Sequence, residues 1–394
     1  LVEQYKLPFA TERFFISDLT NQPVSAMIKM KYMPKKIKLA ILFGGKSAEH
    51  EISIKSAKNI YNALNKKKYF PYLFWISKSG EWYLCKDSIF SLEDINNNSA
   101  RQYLISRAGF LPGGKGSVFL EKGKNKKIKV DAVFPILHGP FGEDGSIQGL
   151  LRISDIPFVG SGVLGSAVGM DKDVMKRLLI QAGLPVGKYL AIRKNDTANI
   201  KRIEKFLGWP IFVKPASLGS SVGISKASGK NELVKAMKLA FQYDNKIVLE
   251  KFLEGREIEC AVLGNEKAKA SLPGEIKVYS DFYSYKTKYL DEKSSELVYP
   301  AKLSQGLIKK IQTLAVRTFK TLECEGLSRV DFFLKKDGSI FVNEINTMPG
   351  FTSISMYPKL MELMGYDNSV LIDNLIELAF SRYKREKRIS IRGK

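Results

Sequence analysis

The stretch SRVDFFLKKDGSIFVNEIN, residues 328–346, decides how this chain reads. Asp337-Gly338 between two runs rich in β-branched and aromatic residues is the signal of a type I′ hairpin. A two-residue loop there pairs Lys336 with Ser339. Counting back, it sets Asp331 opposite Glu344 and Arg329 opposite Asn346. Residues two apart share a strand face, so these four polar groups are expected to project together. Val330, Phe332, Leu334, Phe341 and Ile345 make the opposite, core-like face, with Asn343 as its polar exception. Facing carboxylates whose Cβ atoms lie ~5 Å apart repel each other. A divalent cation removes that conflict, and two carboxylates with an amide oxygen are hard donors of the kind Mg2+ or Mn2+ takes. Asp331, Glu344 and Asn346 are therefore the candidate metal ligands; a solvated hairpin with incidental acids is the alternative.

Working outward, KPASLGSSVG (214–223) joins two short strands. Gly and Ser let backbone N–H groups approach an anion closely, and Lys214 ends a buried-type strand, an odd place for a cation unless it meets a charge. Lys172 opens a helix at the end where acidic residues are normal, which makes sense if an anion is also present. VLEKFL (248–253) leads into Glu254-Gly255-Arg256-Glu257, where a carboxylate beside backbone donors is able to read adenine and ribose. Taken singly, these patterns fit a plain turn and surface charge as well.

The rest of the chain alternates strand and helix. An apolar strand at 38–43, a helix near 49–65 and a strand at 72–76 are followed by an irregular stretch, 84–128, read as loops with short elements. A strand at 130–137 and a helix near 144–153 complete a βαβ-like unit with parallel pairing. The Gly-dense stretch 160–169 reads as a boundary. Beyond it lie a helix at 171–182 ended by Gly183, strands at 211–214 and 222–226, a helix at 231–243, strands near 246–250 and 257–263, a helix near 304–323, the hairpin, and helices near 355–365 and 368–381. Expected divisions are an appendage at 1–34, an α/β domain at 35–160, lobes at 161–250 and 251–382, and a solvated basic tail at 383–394.

Composition sets outer limits. The 394 residues are 44% hydrophobic, enough for a sizeable core, and no apolar run approaches the ~20 residues of a membrane span. No secretory-signal layout opens the chain. Three scattered cysteines and two distant histidines argue against a disulfide framework or a zinc site, and a reducing cytoplasm is the default. The formal net charge of +23 invites a nucleic-acid reading, but no RRM, KH or basic-helix motif supports one. Two nucleotide motifs fail on context. GSGVLG (160–165) lacks the acidic residue that should end a second strand, and Gly45-Lys46-Ser47 lacks the earlier glycine of a P-loop, because Ala40 stands there inside a strand.

Together the segments resemble the ATP-grasp superfamily and, within it, the D-alanine–D-alanine ligase family. Six motifs in family order carry the resemblance: GGKSAEHE (44–51), HGPFGEDG (138–145), the loop 214–223, YSYKTKY (283–289), the strand holding Arg329 and Asp331, and NEINTMPGFT (343–352). It implies an α/β fold of the ATP-grasp type, in which an N-terminal parallel-sheet α/β domain precedes two lobes sandwiching ATP. It also implies ATP-dependent joining of two D-alanines for peptidoglycan synthesis, with two Mg2+ ions or Mn2+, in a cytoplasmic homodimer that binds neither nucleic acid nor membrane. The roles it implies place Lys172, Lys214, Ser221 and Lys288 on ATP phosphates, Lys288 also facing the substrate. Glu250, Lys251, Leu253 and Glu257 would hold adenine and ribose. Glu49 would anchor the first D-alanine's ammonium with Ser220 and Tyr289, and His138 would stand in the substrate site. Arg329 and the Gly350 N–H would serve the oxyanion, and Ser355 with Met356 the second D-alanine's carboxylate. Glu143 and Asp144 read as structural, ordering their loop or capping a helix. Ser284 and Thr287 depart from the family's usual Asp and Ala, which puts lid kinetics in question. Tyr289 favours the dipeptide ligase over the relative that makes D-alanyl-D-lactate; a D-alanine–D-serine ligase is a further alternative in the same family.

Overall fold

The Ile37–Gly44 strand (β1) is flanked on both sides in the amino-terminal sheet, its residues 39–43 wholly buried. The computed structural model describes residues 35–92, 95–96, 98–123, 126–220, 222–278 and 295–389, and those from Ile37 onward form one compact unit. β1 runs parallel to β2 (Tyr69–Ile76), as a βαβ unit requires. Antiparallel strands then extend one side: β3 (Trp82–Cys85), β4 (Leu104–Phe110), β5 (Ser117–Leu120) and β6 (Lys127–Lys129). β7 (Ala132–Pro135) closes the other side, parallel to β1. The stretch 84–128 is, as expected, loops with short elements, and its short strands join the sheet. Its strands are only three to seven residues long and interrupted by glycine turns, which hides their period.

Two antiparallel sheets follow. One has the order β10–β9–β11–β8, from Ser225–Ala227, Ile211–Pro215, Lys246–Lys251 and Tyr189–Arg193. The other has the order β15–β14–β12–β16–β17, from Ser295–Val298, Gly274–Val278, Arg256–Gly264, Gly326–Leu334 and Ile340–Asn346, with the short β13 (Lys269–Ala270) paired to β12. The helices are α1 (His50–Ala63), α2 (Ser146–Ile153), α3 (Val163–Met170), α4 (Lys172–Gln181), α5 (Ile200–Leu207), α6 (Lys230–Ala240), α7 (Gln305–Thr321), α8 (Met356–Glu362) and α9 (Asn368–Lys387). None described is long and apolar enough to cross a membrane.

The hairpin of β16 and β17 departs from expectation twice, and the departures cancel. Lys335, not Lys336, pairs with Ser339: its N–H donates to Ser339 O at 2.9 Å, and Gly338 takes φ +80. The turn is thus one residue longer than a type I′ loop. Without compensation every later pair would slip by one. A bulge beside Asp331 and Phe332 restores the count, with Asn343 as the extra residue. Arg329 then faces Asn346 and Asp331 faces Glu344, as expected. The correction falls on the core face. Val342 takes the buried place opposite Phe332, while Phe341 pairs with Phe333 on the half-buried side.

The Gly-dense stretch read as a boundary is helical beyond Gly162, where it forms α3. Its glycines permit close packing. A Cβ on Gly165 would stand 2.4 Å from Glu323 O, and one on Gly169 2.8 Å from Thr347 Cγ2. The expected basic tail is, as far as Lys387, the end of α9. Arg382 is buried and donates to Phe158 O at 2.7 Å and to Gly160 O, and Tyr383 Oη donates to Asp155 Oδ1 at 2.9 Å. The appendage at 1–34 lies outside the described residues.

Gly165→Ala forces α3 away from the α7–β16 turn. We expect a loss of about 1–3 kcal/mol, read as a lowered thermal midpoint; an unchanged midpoint would show that the approach is not tight.

Candidate active site

The Gly44-Gly45 turn brings the chain from β1 to α1. A Cβ on Gly44 would lie 2.3 Å from Ile76 O, and φ is +89, so only glycine serves. The turn delivers Glu49 to the helix N-cap, its N–H donating to Ser47 Oγ at 3.0 Å. Ser220 Oγ donates to Glu49 Oε1. Gly139 and Gly219 crowd the other oxygen: a Cβ on either would come within 3.0 or 3.1 Å of Oε2. Two loops distant in sequence thus meet on one carboxylate. His138 is buried; its Nδ1 lies 3.0 Å from Met348 O, which sets the Nδ1–H tautomer, and its Nε2 lies 3.4 Å from Ser56 Oγ.

Glu143 and Asp144 order their loop as expected. Asp144 accepts from Phe141 N and Ser146 N, at 2.8 and 2.9 Å. Glu143 accepts from Gly139 N at 2.8 Å and Met348 N at 3.0 Å, tying the histidine loop to the turn after β17. Burial, then the nearby Glu49 carboxylate, push the Glu143 carboxyl up to about 8 against those two N–H donors.

On the face of β12, β16 and β17 three carboxylates stand in a row: Glu259 opposite Asp331, and Asp331 opposite Glu344. Arg329 lies among them. Its Nε and Nη2 hold both Asp331 oxygens at 2.7 and 2.6 Å, and Nη2 is also 3.1 Å from Glu259 Oε1. Asn346 Nδ2 donates to Asp331 Oδ2 at 2.9 Å. Lys172 Nζ approaches Glu344 Oε2 at 3.6 Å and donates to Leu218 O at 2.7 Å, so it spans the glycine loop and the carboxylate row. Among the described residues no group of three or more His, Cys, Asp and Glu side chains converges as a metal cage. The candidate set is smaller, with two carboxylates and an amide whose nitrogen now faces Asp331 and whose oxygen a half-turn of the side chain would bring inward. Facing acids with one guanidinium between them fit an added cation.

Beside this row is a buried cationic cluster. Lys214 Nζ donates to Glu250 Oε2 at 2.9 Å and lies 3.4 Å from Asn343 Oδ1. Lys176 Nζ stands 3.2 Å from both Glu250 Oε1 and Asn343 O. Burial works to raise the Glu250 carboxyl, but Lys176 and Lys214 outweigh it and hold it at about 2. Burial, with Lys214 adding to it, lowers the Lys176 ammonium despite Glu250. On Lys214, burial is outweighed by Glu250 and Glu344, and the shift is upward. Lys251 is exposed, Leu253 is half-buried against Gly187, and Glu257 sits near the start of β12.

The turn after β17 carries the last group. A Cβ on Gly350 would lie 2.8 Å from Ser355 Oγ, which accepts from Thr352 N at 3.0 Å, and the buried Met356 follows at the start of α8. One cleft is lined by Glu49, His138, Ser220, Arg329, Glu344, Asn346, Gly350, Ser355 and Met356. Ser221, Lys288 and Tyr289 lie outside the described residues. Lys176, Asn343 and Glu259 were not singled out from sequence. Lys176 left one signal, a lysine one turn after Lys172 on the apolar side of its helix; Glu259 left none, because its partners come from another strand.

Two family models match the chain, "D-ala D-ala ligase N-terminus" over residues 38–161 and "D-ala D-ala ligase C-terminus" over 178–377. A D-alanine–D-alanine ligase of Oceanobacillus iheyensis is 48% identical over 361 residues, covering 90% of this chain and 98% of its own. The structure of the D-alanine-D-alanine ligase from Coxiella burnetii superposes with a TM-score of 0.81 at 38% identity, covering 90% of this chain and 97% of its own. VanG D-Ala:D-Ser ligase from Enterococcus faecalis gives 0.78 at 38% identity, covering 88% and 100%.

Glu250→Gln leaves Lys176 and Lys214 buried without their anion. We expect a loss of about 3–5 kcal/mol at neutral pH, measured by denaturant unfolding. The Glu250 carboxyl is depressed in the fold, so its stabilisation is full above its ordinary value of 4.5 and is lost as pH falls toward about 2. The gap between the two proteins should narrow over that window; a small gap that ignores acid would contradict the pairing.

Proposed function

The chain belongs to the D-alanine–D-alanine ligase family, with the ATP-grasp fold, and from that premise we propose that it joins two D-alanines as ATP becomes ADP and phosphate. The observation that supports this most is the meeting of the acidic row on β12, β16 and β17 with Lys172, beside the buried Lys214–Glu250 pair, a polarity that suits a polyphosphate with divalent cations.

A carboxylate is a poor electrophile. In this reading the γ-phosphoryl group passes first to the carboxylate of one D-alanine, whose ammonium rests on Glu49 beside Ser220. Lys172 and Lys214 hold the phosphates, and Glu250, the backbone at Lys251 and Leu253, and Glu257 hold adenine and ribose. On the family resemblance, Ser221 and Lys288 would act on the phosphates, and Tyr289 with Glu49 and Ser220. Asp331, Glu344 and Asn346 hold Mg2+, as two ions, or Mn2+. The bound cation supplies charge neutralisation on the transferring phosphoryl group. His138 keeps its place in the substrate site through Met348 O. The second D-alanine, its carboxylate near Ser355 and Met356, attacks the acyl phosphate with its amine. Arg329 and the Gly350 N–H then stabilise the oxyanion, and phosphate leaves. We place the reaction in the cytoplasm and the working form as a homodimer, both on the family resemblance.

With ATP and Mg2+, the protein should release phosphate when D-alanine is added, and D-alanyl-D-alanine should appear by mass. D-Lactate and D-serine as acceptors should give little. Release that needs another acid or amine would overturn the substrate. Glu344→Ala should cut turnover at least about a hundred-fold, in the range of losing a metal ligand's support, with an unchanged circular dichroism spectrum. Retained turnover would remove Glu344 from the metal site.

A further inference from the structure

Asp331 has little room for a cation as it stands. Arg329 grips both of its oxygens, at 2.7 and 2.6 Å, and Asn346 donates its amide hydrogen to one of them at 2.9 Å. A divalent ion on that carboxylate would repel the guanidinium. Arg329 is itself only 8% exposed, so it cannot swing into water without leaving a charge unpaired in the interior. The neighbouring strand supplies another anion. Glu259, 4% exposed and directly opposite Asp331 on β12, already has Oε1 at 3.1 Å from Nη2. A guanidinium carries five donors in a rigid fork, so a pivot about Nη2 exchanges one carboxylate for the other without breaking every bond at once.

We infer that Glu259 is the positioning residue that receives Arg329 when a divalent cation takes Asp331, so that loading the metal and aiming the arginine are one event. This rests on the reading that Asp331 holds the metal. It gives Glu259, which lines the same cleft, a part in the reaction through Arg329. It also makes the arginine fully available to the developing oxyanion only when the cation is in place. The acidic row is then a relay: one positive group moves one strand over as a second enters.

The test is Mn2+ affinity of the full chain with a non-hydrolysable ATP analogue, read by the electron paramagnetic resonance of free Mn2+. Asp331→Asn should remove the tight binding; if it does not, the metal reading fails and the relay with it. With Asp331 intact, Glu259→Gln should weaken Mn2+ about ten-fold, the scale of one charge-assisted hydrogen bond. In an Arg329→Gln background the same change should move affinity less than about two-fold, because no guanidinium is left to compete. No weakening, or equal weakening in both backgrounds, would overturn the relay and leave only a general loss of negative charge. A second measurement needs no change at Glu259. In protein labelled with 15N-arginine, the Arg329 Nε signal, assigned by its loss in Arg329→Lys, should shift on saturation with Mg2+ and nucleotide. A signal that stays in place would overturn the exchange.

Discussion

Three carboxylates on adjacent strands, with one guanidinium among them, form the interaction on which the site depends. Glu259, Asp331 and Glu344 share a row because β12, β16 and β17 are paired in register at that level. Like charges in such positions work against the sheet. Arg329 and, from the side, Lys172 keep the row in place. The same excess of negative charge is what makes a divalent cation and a polyphosphate acceptable there. Stability and chemistry are thus set by one electrostatic arrangement, and the flanking cluster of Lys176, Lys214 and Glu250 extends it with opposite sign into the other sheet.

The acidic pair was legible from sequence, though not for the full reason. Alternation and the Asp337-Gly338 turn placed Asp331 opposite Glu344, which is observed. The real turn is longer, and Asn343 makes up the difference as a bulge. Alternation assumes an unbroken pleat, so it cannot see an insertion in the turn offset by another in the strand. The residue that looked anomalous on the core face, Asn343, was the sign of that bulge. It also presents its carbonyl and amide oxygens to Lys176 and Lys214.

Other features were hidden for different physical reasons. β8 and the strands of the 84–128 stretch are too short to show a period. The glycines of α3 read only as a boundary, and their close packing against Glu323 and Thr347 was not visible. Glu259 and Lys176 gain meaning only from contacts far away in sequence. Glu49 and His138 were named through the family resemblance, which rests on the short motifs 44–51 and 138–145 that hold them. The net charge of +23 first pointed toward nucleic acid; at the site itself, Lys172, Lys176, Lys214 and Arg329 are held by carboxylates of the row and of the cluster beside it.

In the proposed reaction these groups activate a carboxylate by phosphoryl transfer before a second amine attacks it. That chemistry moves one carboxylate oxygen into the released phosphate. With D-alanine carrying 18O in its carboxylate, the account predicts one 18O atom in each phosphate released during dipeptide formation, read by mass spectrometry. Phosphate free of 18O would contradict it.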